Sequence, residues 1–278
     1  MPGHHPIFQK FSRWQGTAPP GYRINFLGVK TRDAYFTQWG GARRSTTDYP
    51  DFDEEYFEWI DVLEAVAQAE GRFTMLELGA GFGCWLTNAA AALQQSKNLP
   101  YTLVGVEAEP THFQWMIEHL RNNEVELDRC QLIQAAVTAF DGKVGFHVGQ
   151  TVHGGPADWY GQSVGGPVEV NAVSLSTLLR PFDRVDLIDL DVQGIEFEVL
   201  QAAAEDIDQK AKRLHIATHT REIEAALRSL FQGLSWTSVH DYPCADQQPV
   251  QNHATDWGIV GFQDGVQSWV NPKMGTTE

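Results

Sequence analysis

One stretch of the chain, residues 73–86 (FTMLELGAGFGCWL), limits the possible folds more than any other. A short apolar run is followed by alternating glycines at Gly79, Gly81 and Gly83, and then by helix-forming residues. Such a run is typical of a buried strand in an α/β sheet. Glycine lets a ligand approach the backbone closely, and the next helix begins with free N–H groups. The stretch therefore predicts either a site for a nucleotide-like cofactor or a plain tight turn.

The spacing of these glycines distinguishes two classes of cofactor. The dinucleotide pattern is G-x-G-x-x-G, whereas here the glycines alternate and Glu77 precedes the first of them by two positions. A dinucleotide places its pyrophosphate on the helix N-terminus. S-adenosylmethionine (SAM) has no phosphate but carries an ammonium and a sulfonium, for which an acid on the strand is useful. The pattern resembles motif I of the SAM-dependent methyltransferases, E/D-x-G-x-G-x-G.

The composition of the chain limits which binding partners and which cellular compartment we expect. The chain of 278 residues has a net charge of -16 and no cluster of lysine and arginine, which argues against a nucleic-acid partner. No apolar run approaches a membrane span, and the N-terminus lacks the apolar core of a secretory signal. The three cysteines, Cys84, Cys130 and Cys244, show no C-x-x-C spacing. We therefore expect a cytoplasmic protein without a membrane partner.

The order of apolar runs along the chain predicts the domain organisation. Residues 1–50 lack a clear period and are interpreted as an N-terminal extension, a lid or a dimer arm, the last of which would make a homo-oligomer. Residues 51–278 form the main domain, in which strands alternate with helices as in a doubly wound, mostly parallel sheet with an antiparallel edge. The glycine-rich segment 149–167 is either a binding loop or a hairpin tip. Strands are predicted at 73–76, 101–106, 130–136, 143–148, 168–173, 185–190, 213–218, 236–240 and 258–262, followed by a further candidate at 266–270.

Acidic residues stand at the ends of two predicted strands, where ligands bind in folds of this class. Glu107 ends the strand 101–106, the position from which an acid accepts both ribose hydroxyls; the alternative is an ordinary surface acid. The strand 185–190 contains Asp189 and runs into Asp191 and Glu196. Strand alternation places Asp189 and Asp191 on one side, and buried acids are costly without partners. This strand end is therefore a second candidate site.

The segment VDLIDLDVQGIEFEVLQ (185–201) resembles the signature of the FkbM-type methyltransferases, D-x-x-K-x-D-x-E-G-x-E-x-x-V-L. The similarity extends over about residues 70–240. At two positions the chain differs, since Asp189 replaces the usual Lys and Gln193 replaces the usual Glu. The matching residues are Asp191, Gly194, Glu196, Val199 and Leu200.

The resemblance implies a Rossmann-like class I methyltransferase fold with a seven-stranded sheet. It implies SAM as methyl donor, S-adenosylhomocysteine as product, and a hydroxyl acceptor on a sugar, polyketide or other small secondary metabolite. Asp189 would lie near the methionine ammonium or the acceptor. The residues implied to bind the rest of SAM are Glu77, Gly79, Gly81 and Gly83 at its methionine end, Glu107 at its ribose, Gln134 and Ala135 around its adenine, and the neighbouring Ala80 and Ala108.

The chemistry of the transfer leaves several alternatives open. Alignment of acceptor and methyl group supplies much of the rate, and a general base adds about 10²–10⁴-fold. The candidate catalytic residues are Asp191, Glu196 and His219, although His219 is equally consistent with a residue that caps its own loop. No metal site is assigned, but Asp189, Asp191 and His219 would suit Mg²⁺. The competing functions are an NAD-dependent oxidoreductase and a non-catalytic SAM-binding protein.

Overall fold

The computed structural model of the protein describes residues 3–39, 48–148 and 162–275. Helices and strands alternate through most of these ranges, as the apolar runs predict. The helices are α1 (Glu55–Gln68), α2 (Cys84–Ser96), α3 (Pro110–Asn122), α4 (Leu175–Leu179), α5 (Glu196–Ala202), α6 (Ala204–Lys210) and α7 (Arg221–Gly233). The strands are β1 (Tyr22–Ile24), β2 (Lys30–Arg32), β3 (Phe73–Leu78), β4 (Tyr101–Glu107), β5 (Cys130–Gln134), β6 (Ala136–Thr138), β7 (Gly142–Phe146), β8 (Val168–Ser174), β9 (Leu187–Leu190), β10 (Arg213–Thr218), β11 (Thr237–Tyr242), β12 (Asn252–Ala254), β13 (Ile259–Gly261) and β14 (Gly265–Val270).

The central sheet of the described residues has seven strands in the order β11-β14-β10-β9-β3-β4-β5. Strands β5, β4, β3, β9 and β10 run parallel to one another. The predicted doubly wound, mostly parallel sheet is therefore confirmed. The antiparallel strand is β14, which lies between β10 and β11, one position in from the edge.

The closing strand of the sheet is not the one that the apolar pattern first suggested. Residues 258–262 contain β13, which pairs with β12 in a separate hairpin. The candidate at 266–270 supplies β14 instead and pairs with both β10 and β11. Both segments are short and apolar, so hydrophobicity alone does not distinguish them.

The two faces of the sheet bury different helices because strand side chains alternate. On β3, Phe73 and Met75 face the layer formed by α1, α2 and part of α3. Leu76 and Leu78 face the opposite layer, which includes residues of α4 to α7. Glu77 has the parity of Phe73 and Met75, so it is directed towards the α1 and α2 layer.

The described part of the N-terminal segment packs into the core. Phe8, Phe26 and Tyr35 are fully buried, and Phe8 and Phe26 belong to the same apolar cluster as α1 and α2. Phe36 lines the central cavity described below. A lid or dimer-arm role for this segment stays a prediction.

A small three-stranded sheet, β6-β8-β7, extends from the end of β5. It contains the predicted hairpin, in which β7 and β8 pair antiparallel. Of the glycine-rich segment 149–167, residues 149–161 lie outside the described ranges. Gln162 and Val164, which follow, line the central cavity. None of the helices in the described ranges is both long and apolar enough to cross a lipid bilayer.

Candidate active site

A cavity of about 360 Å³ opens at the carboxyl ends of β3, β4 and β9. Its volume lies within the usual range of small-molecule sites, and its place at these strand ends is the one expected for ligands of open α/β sheets. Gly83, Gln134, Glu196 and His219 lie outside its lining. The residues of the sequence-based site that line the cavity are Glu77, Gly79, Ala80, Gly81, Glu107, Ala108, Ala135, Asp189 and Asp191.

The glycine turn after β3 (residues 79–83) packs closely against the ends of β4 and β9. The N–H groups of Gly79 and Ala80 donate to the carbonyl oxygen of Val106 at 3.0 and 2.9 Å. Gly79 has φ +83°, and a Cβ atom there would lie 1.8 Å from the backbone oxygen of Asp191. The turn therefore needs glycine both for its backbone conformation and for its closeness to the end of β9.

The Glu77 carboxylate is buried and stabilises the start of α2. It accepts hydrogen bonds from the N–H groups of Trp85 and Leu86 at 3.2 and 2.9 Å. Burial, together with the negative charge of Asp189, raises the pKa of Glu77 well above its ordinary value. Two of the free donors of the α2 N-terminus are thus already occupied by the protein. Glu77 shapes the turn as well as lining the cavity.

Glu107 is buried at the end of β4 and binds the glycine turn on the side facing that strand. Its carboxylate accepts from the N–H groups of Gly81 and Glu109, both at 2.7 Å. Burial raises the pKa of Glu107 to about 7, although these hydrogen bonds oppose the shift. Ala108 and Ala135 form a small-residue wall beside it. Gln134 is exposed and outside the cavity lining, so the structure does not support its predicted contact with adenine.

Asp191 is the predicted catalytic residue that the cavity exposes. Nearly half of its side chain, 47 %, is accessible, and the residue lines the cavity just after β9. Burial raises the pKa of Asp191, while the charge of His219 opposes the shift; the accessible half is screened by water. Its carboxylate is thus both reachable by a ligand and held by the protein on one side.

His219 and Glu196 stand behind Asp191 instead of facing the cavity. His219 Nδ1 donates to Glu196 Oε1 at 2.8 Å, and its Nε2 lies 3.4 Å from Asp191 Oδ1. The fully buried Glu196 also accepts from the N–H of Gly194 at 2.8 Å. Glu196 therefore positions His219, which in turn positions Asp191.

The predicted role of His219 as a general base stays a prediction that its surroundings do not favour. Burial alone would lower the pKa of His219, but the hydrogen bond to Glu196 and the charge of Asp191 outweigh it and raise the pKa to about 9. This shift favours the protonated imidazole, which has no lone pair with which to take a proton. Its charge instead favours the ionised form of Asp191.

The described wall of the cavity is strongly acidic. His112 and His215 are the basic side chains that contribute to it, and neither lysine nor arginine does within the described ranges. Such a wall favours a ligand with positive charge, such as one with a sulfonium and an ammonium. Its acidic residues are Glu54, Glu55, Glu58, Glu77, Glu107, Asp189, Asp191 and Asp264.

Polar side chains form a row across the floor of the cavity. Glu77, Asp189, His215 and Ser268 are paired in register on β3, β9, β10 and β14. We call these four residues the polar row. Burial raises the pKa of Asp189 to about 6. Helix α1 covers the row and contributes Glu58, whose carboxylate lies against Asp189.

The predicted Mg²⁺ group of Asp189, Asp191 and His219 is not the one that the structure brings together. Among the described residues, the side chains close enough to share an ion are Glu58, Asp189 and His215. Sequence reasoning missed Glu58 and His215. The available signals were a histidine inside the buried strand RLHIAT and an acid on the apolar face of α1, both of which need partners once buried.

The glycine turn is also fixed from its outer side by His119. This buried histidine has Nδ1 at 3.1 Å from the carbonyl oxygen of Phe82, to which it donates, and Nε2 at 3.3 Å from the Thr31 hydroxyl. Burial lowers the pKa of His119 to about 4, against partial opposition from the backbone contacts. The N-terminal segment, α3 and the glycine turn therefore meet at one neutral imidazole.

The low pKa of His119 predicts acid-sensitive stability. An unfolded histidine has a pKa of about 6.5, so the unfolded chain binds more protons between pH 6.5 and pH 4, and stability falls as the pH is lowered through this window. We expect His119→Gln to reduce the dependence of the unfolding free energy on pH in this window by up to about 1.4 kcal/mol per pH unit. Urea unfolding at several pH values measures this dependence. An unaltered dependence in His119→Gln would contradict the assignment.

The chain is similar to several known proteins. A curated relative described as "Putative methyltransferase", from Jannaschia sp. (strain CCS1), is 25% identical over 254 residues, spanning 84% of this chain and 89% of the relative. The solved structure of methyltransferase FkbM from Methylobacillus flagellatus KT is 12% identical with a TM-score of 0.46 and matches 73% of this chain, which spans only 45% of that chain. The precorrin 8w decarboxylase of Methanobacterium thermoautotrophicum is 12% identical with a TM-score of 0.43, over 80% of this chain and 92% of that one.

The strand order, the glycine turn and the cavity together define a class I methyltransferase fold. The sequence model of the FkbM methyltransferase domain matches residues 77–232, more than half of the chain. The protein belongs to this family and is a methyltransferase, and family membership implies SAM as the methyl donor. The resemblance found in residues 185–201 is thereby confirmed, and the oxidoreductase alternative is not favoured.

Proposed function

We propose that the protein transfers the methyl group of SAM to a hydroxyl of a small molecule such as a sugar or polyketide, and releases S-adenosylhomocysteine. The observation that carries this proposal is one cavity lined by the glycine turn, Glu107 and the accessible Asp191. Glu107 would accept the ribose hydroxyls, and Ala108 and Ala135 would leave room for the adenine ring. The acidic wall suits the positive charge of SAM. The free cysteines support a cytoplasmic setting for this reaction.

The protein's part in the reaction is alignment and proton removal. The sulfonium is already activated, so holding acceptor and methyl group in line supplies much of the rate. An alcohol is a weak nucleophile, and we assign its proton to the Asp191 carboxylate, which is the accessible acid at this strand end. The imidazolium of His219 holds that carboxylate in place. The same acidic cavity offers hydrogen-bond acceptors to a hydroxylated ligand.

The proposal is tested with purified protein, SAM labelled in the methyl group, and a panel of sugars, phenols and polyketide-like alcohols. We expect labelled methyl ethers together with release of S-adenosylhomocysteine. A matching panel of amines distinguishes the acceptor atom, and exclusive N-methylation would refute the hydroxyl assignment. Binding of SAM without turnover on any acceptor would favour the non-catalytic alternative.

Asp191→Asn gives the mechanistic prediction, because the amide keeps the shape but cannot take a proton. We expect methyl transfer to slow by about 10²–10⁴-fold, with SAM binding by calorimetry changed little. The control Asp183→Asn alters an exposed aspartate just before β9 and should retain activity. Equal rates for Asp191→Asn and the parent protein would remove Asp191 from the role of base.

A further inference from the structure

We propose that Glu58, Asp189 and His215 bind one divalent transition-metal ion at the floor of the cavity. One ligand atom from each side chain, two carboxylate oxygens and one imidazole nitrogen, lies within 4.8 Å of the others. All three residues line the cavity. Ligand atoms about 2.0–2.2 Å from a shared ion lie at most about 4.4 Å apart, so small side-chain movements are enough to close the site.

The three side chains come from rigid elements. Asp189 and His215 are directly paired on the parallel strands β9 and β10. Glu58 comes from α1, which packs across both strands. The site is therefore built on helix and sheet instead of loops, which is the arrangement that holds ligand geometry best.

The imidazole of His215 is oriented as metal-binding histidines usually are. Its Nδ1 donates to the buried Asp61 carboxylate at 2.7 Å. Asp61 is itself fixed by Arg213 at 2.6 Å and by the hydroxyl of Ser268. A carboxylate on Nδ1 fixes the proton there and leaves the lone pair on Nε2, the pattern found behind ligating histidines.

Asp189 supplies a further observation, because the groups that compensate for its burial are the other two members of the proposed site. Only 5 % of the residue is exposed. In the described part of the chain, no backbone N–H, hydroxyl, lysine or arginine donates to its carboxylate, which instead pairs with the Glu58 carboxylate and lies beside His215. Two adjacent buried carboxylates repel unless a proton or a cation lies between them. A bound cation satisfies both acids at once.

The donor set indicates the kind of ion. Carboxylate oxygens favour hard ions such as Mn²⁺, and an imidazole favours Zn²⁺ and Fe²⁺ over Mg²⁺ and Ca²⁺. Three protein ligands leave coordination positions open towards the cavity. Water or an acceptor hydroxyl coordinated there would have its pKa lowered. Metal binding itself requires no methyl transfer, so it is tested independently of the proposed function.

The experiment is a titration of the full chain, first stripped with a chelator, with Mn²⁺ or Zn²⁺. Calorimetry and metal analysis should give one ion per chain. Loss of a ligand in Asp189→Asn or Glu58→Gln should weaken binding by more than about 100-fold, above the 10–100-fold typical of outer-shell changes. Glu58 is half-buried on a helix, so Glu58→Gln gives a second variant in case Asp189→Asn does not fold, as checked by circular dichroism.

The control is Glu55→Gln, which removes a neighbouring cavity carboxylate but no donor atom of the site. Its affinity should stay within about threefold of the parent, because a screened neighbouring charge contributes little. Equal weakening in Glu55→Gln and Asp189→Asn would overturn the proposal in favour of diffuse attraction to an acidic wall. Absence of saturable binding would also overturn it. If no metal binds, and the parent protein binds SAM while Asp189→Asn does not, the Glu58 and Asp189 carboxylates face the methionine ammonium of SAM instead.

Discussion

Replacement of Gly79 by alanine is expected to destabilise the protein by more than about 4 kcal/mol, a value beyond the usual range for point substitutions. The added Cβ would lie 1.8 Å from the backbone oxygen of Asp191, in a residue with φ +83°. No side-chain rotation relieves a clash with a backbone atom. The turn after β3 and the end of β9 must separate, and both line the cavity. Urea unfolding followed by circular dichroism measures the loss, and calorimetry with SAM measures its effect on the site.

Gly71 provides the matched control for this substitution. It also has a positive φ, +69°, but an added Cβ there meets nothing within 4 Å. Gly71→Ala therefore costs only the left-handed backbone conformation, about 1–2 kcal/mol. The difference between the two variants isolates the contact with Asp191. If Gly79→Ala unfolds at the same urea concentration as Gly71→Ala, the close approach of Gly79 to the Asp191 backbone does not exist in solution.

The second large effect is expected from Asp61→Ala. Asp61 is fully buried and binds Arg213, His215 and Ser268 together. Burial alone would raise the pKa of Asp61, but the hydrogen bond to His215 and the charge of Arg213 lower it well below its ordinary value. Removal of the carboxylate leaves Arg213 buried with Glu64 as its remaining partner. Loss of one partner from a buried ion pair costs about 3–5 kcal/mol.

The control for Asp61→Ala is an ion pair of similar geometry at the surface. Lys273 lies 2.7 Å from Asp208, and half of the Lys273 side chain is exposed. Lys273→Ala should cost about 0–1 kcal/mol. Both variants are compared by thermal and urea unfolding. A cost for Asp61→Ala as small as that for Lys273→Ala would show that the network under α1 contributes nothing to stability.

Much of the cavity lining near β3 and β4 could be predicted because its signals are local in sequence. The glycine spacing and Glu77 are contiguous, and Glu107 follows at the end of the next strand. Glu77, Gly79, Gly81 and Glu107 line the cavity, whereas Gly83 does not. For Gln134 the structure gives no support, because this residue is exposed at the end of the edge strand β5, whereas the following Ala135 is buried and lines the cavity.

The floor of the cavity could not be predicted, because its parts meet only through strand order. Asp189 and His215 are neighbours because β9 and β10 pair in parallel, and Glu58 joins them because α1 crosses that pair. No spacing in the sequence encodes these contacts. The surroundings of His219 could not be predicted either, for an electrostatic reason. Its ordinary pKa suits a base, but the buried Glu196 at 2.8 Å stabilises the charged form.

The position of β14 has a consequence for the order in which the protein assembles. β14 follows β11 in the chain, yet it lies between β10 and β11 in the sheet. During synthesis, both neighbours therefore leave the ribosome before the strand that joins them. β14 also carries Ser268, whose hydroxyl donates to the buried carboxylate of Asp61 on α1. The cavity floor thus cannot close progressively from the N-terminus and is completed only when residues 265–270 insert.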